Sequence, residues 1–267
     1  MISAKKSYGQ HFLTNESIAE KIALALEVFE PLERLLEVGP GTGMLTKYLI
    51  GKHPDCTLVD ADRDMIKYLS EDPQFKTCIL IQADFLRLDL LSIFNHQPFY
   101  IIGNFPYNIS SQIVFKMIEY REVIPGMIGM FQREMASRIA HPPGSREYGV
   151  ISVLTQAYYQ VDYLFTVAEN NFNPPPKVKS GVLRFTRKKV LHLECDEEKF
   201  RMVVKTCFQQ KRKMVRNSLK TLMAANLLVD KFFDRRPEQL SVEDYVGITQ
   251  KLNAGRTTDQ PPSEPLR

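Results

Sequence analysis

Tryptophan is absent from the 267 residues and cysteine is scarce, with four at positions 56, 78, 195 and 207 and no C-x-x-C among them. That spacing excludes a redox dithiol motif and the common zinc frameworks, and five scattered histidines (11, 53, 96, 141, 192) add no metal-ligand pattern. Reduced thiols, no disulfide framework and no metal are expected. No apolar run approaches the ~18 residues of a membrane span. The opening MISAKKSYGQHFL lacks the apolar core of a secretory leader. These absences predict a soluble, cytoplasmic protein with no membrane partner. A large charge imbalance is missing too: 35 basic against 31 acidic residues leave a net charge of +4, so positive charge informs only where it clusters. What is there is ordinary globular material, 44% hydrophobic and 25% charged, which excludes disordered, collagenous and coiled-coil classes. The length suits one large domain with a small appendage.

Ile18, Ile22, Leu26 and Phe29 recur at helical spacing behind Ser17 and Glu20, which are placed as a capping box. Five short apolar runs follow: 34–38, 56–60, 78–82, 99–103 and 126–132, each succeeded by polar or helical sequence. Runs of this kind read as strands buried on both faces, and their alternation with helices predicts an α/β fold around a parallel sheet. A strand pair near 161–168 and 181–187 is expected, separated by the link NPPPK (173–177), which suits neither helix nor central strand. Beyond Lys189 the pattern turns helical with a basic bias. The expected organisation is an α/β domain at 1–189, a small α-helical domain at 190–253 and a Pro-rich polar tail without order at 254–267. Nothing in the pattern calls for an obligate interface, so a monomer is expected.

Glu37-Val38-Gly39-Pro40-Gly41-Thr42-Gly43 stands where the first strand turns toward a helix. Glycines there let a ligand approach the backbone and the helix N-terminal amides. The spacing is neither the dinucleotide fingerprint nor a P-loop, and a purely structural turn is the alternative. Asp60 ends the second strand, where an acid can bind both hydroxyls of a ribose. Together these residues indicate a nucleoside-bearing cofactor without deciding which. Asp62 and Asp64 read as helix-capping and first-turn charges. Asp84 follows the third strand, where a carboxylate can accept from an adenine amino group or merely cap a loop.

Asn104-Phe105-Pro106-Tyr107 directly follows the fourth strand. An exocyclic purine amine is a poor nucleophile while its lone pair is delocalised into the ring. Acceptors that hold its hydrogens draw nitrogen toward tetrahedral geometry, and the Asn104 side-chain carbonyl and Phe105 main-chain carbonyl are two such acceptors. Pro106 stiffens the turn, and Tyr107 offers a face for a base.

The segments at 5–13, 36–46, 60–65, 82–86, 103–110, 132–139, 171–184 and 207–219 are similar, in order, to signatures of the bacterial KsgA/RsmA-type 16S rRNA adenine-N6 dimethyltransferases. The resemblance covers nearly the whole chain. It implies a Rossmann-like class I S-adenosylmethionine-dependent methyltransferase domain with a small C-terminal helical domain. It implies dimethylation of two adjacent adenines near the 3′ end of 16S rRNA within the small ribosomal subunit or its precursor. His11, Leu13, Gly39, Gly41, Asp60, Asp84 and Asn104 would line the cofactor site. Asn104, Phe105, Pro106 and Tyr107 would act on the target amine, and Phe172 would bracket the base opposite Tyr107. Asp60 stands where the family often has Glu, and Phe105 where Leu is common. Without the resemblance Phe172 reads as a core residue.

Positive charge does cluster at 205–220, KTCFQQKRKMVRNSLK, which holds no acid. Read as one helix, its Lys211, Arg212, Lys213 and Arg216 face RNA phosphates, with Arg187, Lys188 and Lys189 extending the patch; a solvated face is the alternative. A 23S rRNA methyltransferase shares the catalytic motifs, a DNA adenine methyltransferase typically has proline at the position of Phe105, and a non-catalytic assembly factor would not need an intact Gly loop.

Overall fold

A computed structural model describes Lys5 and residues 9–257, with side chains as far as Leu252. A two-residue strand, β1 (Phe12–Leu13), precedes helix α1 (Glu16–Leu24). The cap of α1 is Asn15 rather than Ser17: its side-chain oxygen accepts from the Ile18 N–H, and Ser17 donates to that same oxygen. The helix continues as a 3-10 turn to Phe29, placing Ile22, Leu26 and Phe29 in the core.

The five apolar runs form β2 (Leu35–Val38), β3 (Thr57–Asp60), β4 (Ile79–Gln82), β5 (Tyr100–Asn104) and β6 (Gly126–Gln132). All pair in parallel, as strands linked by helices must. The connecting helices are α2 (Thr46–Leu49), α3 (Arg63–Glu71), α4 (Leu90–Ile93) and α5 (Ser110–Glu119). Asp62 caps α3 through the Asp64 N–H. After α6 (Arg133–Ala140) and α7 (Val150–Gln156), β7 (Tyr159–Val167) and β9 (Ser180–Arg187) add antiparallel pairing. The seven-stranded order is β4-β3-β2-β5-β6-β9-β7. β8 (Phe172–Asn173) stands apart and, among the described residues, pairs with β1 alone. Burial on both faces holds for β2 and most of β5 but not for β4, whose Ile79 is 53% exposed, because that strand lies at the edge of the sheet. The order reverses between β2 and β5, which opens a crevice beyond their carboxyl ends.

Among the described residues the chain divides into two compact units, the first running to 140 and resuming at 158–189, the second formed by 141–157 with 190–257. The boundary expected at 189 is therefore incomplete: 141–157 leaves the first unit, and α7 packs on α8 (Glu197–Gln209) and α10 (Val242–Thr257). A segment inserted between two parts of a domain gives no compositional break in the sequence. Between those helices lie α9 (Val215–Leu219) and three 3-10 turns. α10 runs four residues into the expected tail, whose remainder, 258–267, lies outside the described residues. Among the described residues no helix is long and apolar enough to cross a membrane.

Candidate active site

The turn after β2 is built on left-handed glycines. At Gly41 (φ +55°) a Cβ would stand 2.9 Å from the Phe12 ring, and at Gly43 (φ +82°) it would stand 2.4 Å from Phe75, so both space and backbone demand glycine. Asp60, at the end of β3, is held against this loop: it accepts from the Asp62 N–H at 2.8 Å and from the Gly41 N–H. Burial pushes its carboxyl above the ordinary value, and those two donors oppose the shift. Behind the loop, Glu37 is fully buried and accepts from Thr46 Oγ1 at 2.7 Å. Burial raises its pKa to about 8 despite that bond. Glu37 was not among the expected site residues; an acid inside an otherwise apolar strand, two residues before Gly39, was the available signal. Asp84 does cap the turn Phe85–Arg87, accepting from the Leu86 N–H at 3.0 Å, with Arg87 at 3.5 Å, yet it is exposed toward the crevice.

At the end of β5, Asn104 donates its amide N–H to the His11 carbonyl at 2.9 Å, which leaves Oδ1 as an acceptor with no donor among the described residues. The Phe105 N–H joins the sheet through the Met130 carbonyl, and its ring is buried edge-on to Phe131. Its own carbonyl accepts no hydrogen bond from the described residues. The Pro106 carbonyl takes the Ser110 hydroxyl at 2.9 Å, fixing the turn to the start of α5. The Tyr107 phenol shares a hydrogen bond of 2.7 Å with Ser180 Oγ, and its ring stacks on His11 with centroids 5.5 Å apart. His11 Nδ1–H donates to the Pro174 carbonyl at 2.8 Å, and Lys5 reaches Asp62 and Asp64, each at 2.6 Å, so both side chains are anchored within the first unit.

These groups surround one cleft of about 330 Å³, lined by His11, Leu13, Gly39, Gly41, Asp60, Asp84, Asn104, Phe105, Pro106 and Tyr107 together with Glu37. Phe172 is not on that wall. It is 4% exposed and sits in the hydrophobic core, where β8 sets it opposite Leu13, itself a core residue that does line the cleft.

Within the second unit, the basic run is not one helix. α8 stops at Gln209, residues 210–214 turn, and α9 begins at Val215. The turn lets Lys211 fold back and donate to the Arg146 and Tyr148 carbonyls, both at 2.7 Å. Arg216 pairs with Asp234 at 2.5 Å. Both are structural attachments. Arg212 and Lys213 are exposed, and their side chains have no partner among the described residues; with Arg236 they edge an open groove of about 420 Å³. Arg187, in the first unit, spends its guanidinium on the Arg121 and Glu122 carbonyls, each at 2.6 Å, which takes it out of the expected basic patch.

Comparison with known proteins places this geometry. In the solved structures, a dimethyladenosine transferase from Plasmodium falciparum superposes with a TM-score of 0.80 at 22% identity, covering 92% of this chain and 98% of its own. The 23S rRNA methyltransferase ErmE superposes at 0.72 with 24% identity, covering 91% and 99%. These likenesses establish the fold. Among curated relatives, the ribosomal RNA small subunit methyltransferase A of Flavobacterium johnsoniae is 51% identical over 255 residues, 95% of this chain and 97% of that protein. The protein of the same name from Bacteroides thetaiotaomicron is 46% identical over 260 residues, 97% of each chain. The ribosomal RNA adenine dimethylase pattern matches residues 1–253, and with it the Gly loop, Asp60 and the Asn104–Tyr107 turn all fall inside one match: the chain belongs to the ribosomal RNA adenine dimethylase family.

Proposed function

We propose that this chain is an S-adenosylmethionine-dependent 16S rRNA adenine-N6 dimethyltransferase that modifies two adjacent adenines near the 3′ end of the small-subunit RNA during ribosome biogenesis. The observation that carries the reading is the acceptor pair at the end of β5: Asn104 has committed its amide N–H to His11, so its carbonyl and that of Phe105 remain to take the two hydrogens of an amine.

The cleft fits the cofactor. Its volume falls in the range of small-molecule sites, its Gly loop has space for backbone contact at Gly39, and the Asp60 carboxylate is aimed by two main-chain donors. Asp60 would hold the ribose hydroxyls, Asp84 the adenine amine, and His11, Leu13 and the Gly39–Gly41 turn the remainder. When bound, S-adenosylmethionine supplies an electrophilic methyl group on a sulfonium centre. Asn104 and Phe105 orient the target amine and localise its lone pair. Tyr107, anchored by Ser180, stacks on the base, which must leave its helix to reach the cleft. No side-chain base is needed, because the nitrogen sheds its proton to water once it is positively charged. Positioning and fixed acceptors supply most of the rate. Arg212 and Lys213 meet RNA phosphates. An enzyme of the small subunit works where that particle is assembled, in the cytoplasm, and one chain suffices.

The test is transfer of labelled methyl from S-adenosylmethionine to under-methylated small subunits, followed by nucleoside analysis. N6,N6-dimethyladenosine in 16S rRNA is expected. Label confined to 23S rRNA, or none in either, overturns the reading.

A further inference from the structure

Lys116 lies on α5, the seventh residue of a helix that also buries Ile113, Val114, Met117 and Ile118, and it is only 7% exposed. Its ammonium donates to the Leu86 carbonyl at 3.0 Å and the Leu88 carbonyl at 2.6 Å. It also lies 5.5 Å from the Phe85 ring centroid and 5.3 Å from that of Tyr120. No carboxylate stands within ion-pair distance of it among the described residues. Burying a charge in this way is costly unless its donors are used, and burial holds its pKa below the ordinary lysine value, against the more distant pull of Glu119, Asp84 and Asp89.

The carbonyls it holds belong to one short turn. Asp84 opens that turn by accepting from the Leu86 N–H, and Asp84 and Phe85 are the residues it presents to the cleft. The turn is therefore fastened at its start by a carboxylate and at its end by an ammonium. The same helix is fastened at its own start to the Asn104–Tyr107 turn, through Ser110 and the Pro106 carbonyl. α5 is thus the strut between the two walls of the cleft that are read here as the adenine side and the target side.

We propose that Lys116 is a positioning residue: its ammonium holds the 84–88 turn so that the Asp84 carboxylate meets the exocyclic amine of the cofactor's adenine. The proposal rests on the reading of this cleft as the S-adenosylmethionine site. Without the ammonium, two main-chain carbonyls lose their donor beneath an aromatic cover. The turn then keeps its internal hydrogen bonds, from the Leu86, Arg87 and Leu88 N–H groups, but loses its tie to α5, and Asp84 loses its aim while the Gly loop, Asp60 and the sheet do not change.

The experiment compares calorimetric affinities for S-adenosylhomocysteine and S-inosylhomocysteine, in which a carbonyl replaces the adenine amine. The native chain should prefer the adenosyl compound by about tenfold or more, the scale of one hydrogen bond to a charged group. Lys116→Met should bring the ratio to within about threefold while leaving affinity for the inosyl compound nearly unchanged. In turnover it should raise KM for S-adenosylmethionine and leave kcat at saturation within about twofold. Lys116→Gln, which keeps one amide donor, should give an intermediate ratio and serves if the methionine variant does not fold. A variant that weakens both compounds equally, or keeps the native ratio, shows that Lys116 only packs the core and overturns the proposal. A native chain that binds neither compound overturns the cofactor reading, and the role of Lys116 falls with it.

Discussion

Asn104 does two jobs with one amide. Its N–H fixes the His11 carbonyl, and its oxygen is the part that remains to act on an amine. Asn104→Ala should therefore abolish methyl transfer in a folded protein; turnover within about threefold of native would remove it from the mechanism. Asp60→Ala should weaken cofactor binding by about 1.5–3 kcal/mol, the range for hydrogen bonds to a charged group, and calorimetry showing native affinity would place the ribose elsewhere. Glu37 makes a prediction about pH. Its carboxyl ionises near 4.5 when unfolded and at about 8 in the fold, because burial disfavours the anion. Between those values the folded state binds the extra proton, so this group's contribution to stability is complete below about 4.5 and is lost as pH rises toward about 8. Glu37→Gln should flatten that fall in a denaturant titration run across the same pH range. An unchanged slope would show that Glu37 ionises normally.

At the scale of elements, charge near a helix end has two destinations, and the turn at 210–214 shows both. Lys211 is consumed by two carbonyls, so Lys211→Met should cost about 1–2 kcal/mol of stability, a value at the lower end for charge-assisted bonds because the side chain is partly exposed. Arg212→Gln with Lys213→Gln should leave stability unchanged and weaken binding to small subunits. The dependence of log affinity on log salt should flatten by about 0.7–0.9 for each phosphate that is no longer neutralised. The opposite pattern, with stability falling and the salt slope unmoved, would assign the turn to folding alone. β8 gives the complementary case. Phe172 is packed against the first unit's core, so Phe172→Ala should cost about 3–5 kcal/mol, as deletion of a buried aromatic ring does. A base-stacking residue would instead lose activity with little change in unfolding midpoint.

At the scale of the whole molecule, the second unit is assembled from two separate stretches of chain. A truncation after residue 189 would keep α7 but remove α8 and α10, the helices it packs against. That fragment should bind a hydrophobic dye and aggregate, whereas a version in which 141–157 is also replaced by a short polar linker should stay dispersed. Equal behaviour of the two fragments would mean that α7 has no need of the second unit.

Much of this was legible along the chain because it depends on neighbours in sequence. Alternating apolar runs and helical periodicity specify a parallel α/β sheet through burial of repeating faces, and the spacing of Gly39, Asp60, Asp84 and Asn104 marks its strand ends before any strand is placed. The family resemblance added the identity of the cofactor and target, which periodicity does not carry. Only the tertiary structure decided which charges are free. Lys211, Arg212, Lys213 and Arg216 are alike as letters, yet two are bonded within the fold and two face solvent, because distant carbonyls and Asp234 arrive beside the first pair. The same holds for Phe172, which shares a core with distant residues such as Leu13, Ile22 and Leu35, and for Cys56 and Cys78, whose sulfurs meet at 3.6 Å where two paired strands begin. Burial and partner choice are properties of three-dimensional proximity, and a one-dimensional pattern records only which residues are fit to be buried or paired.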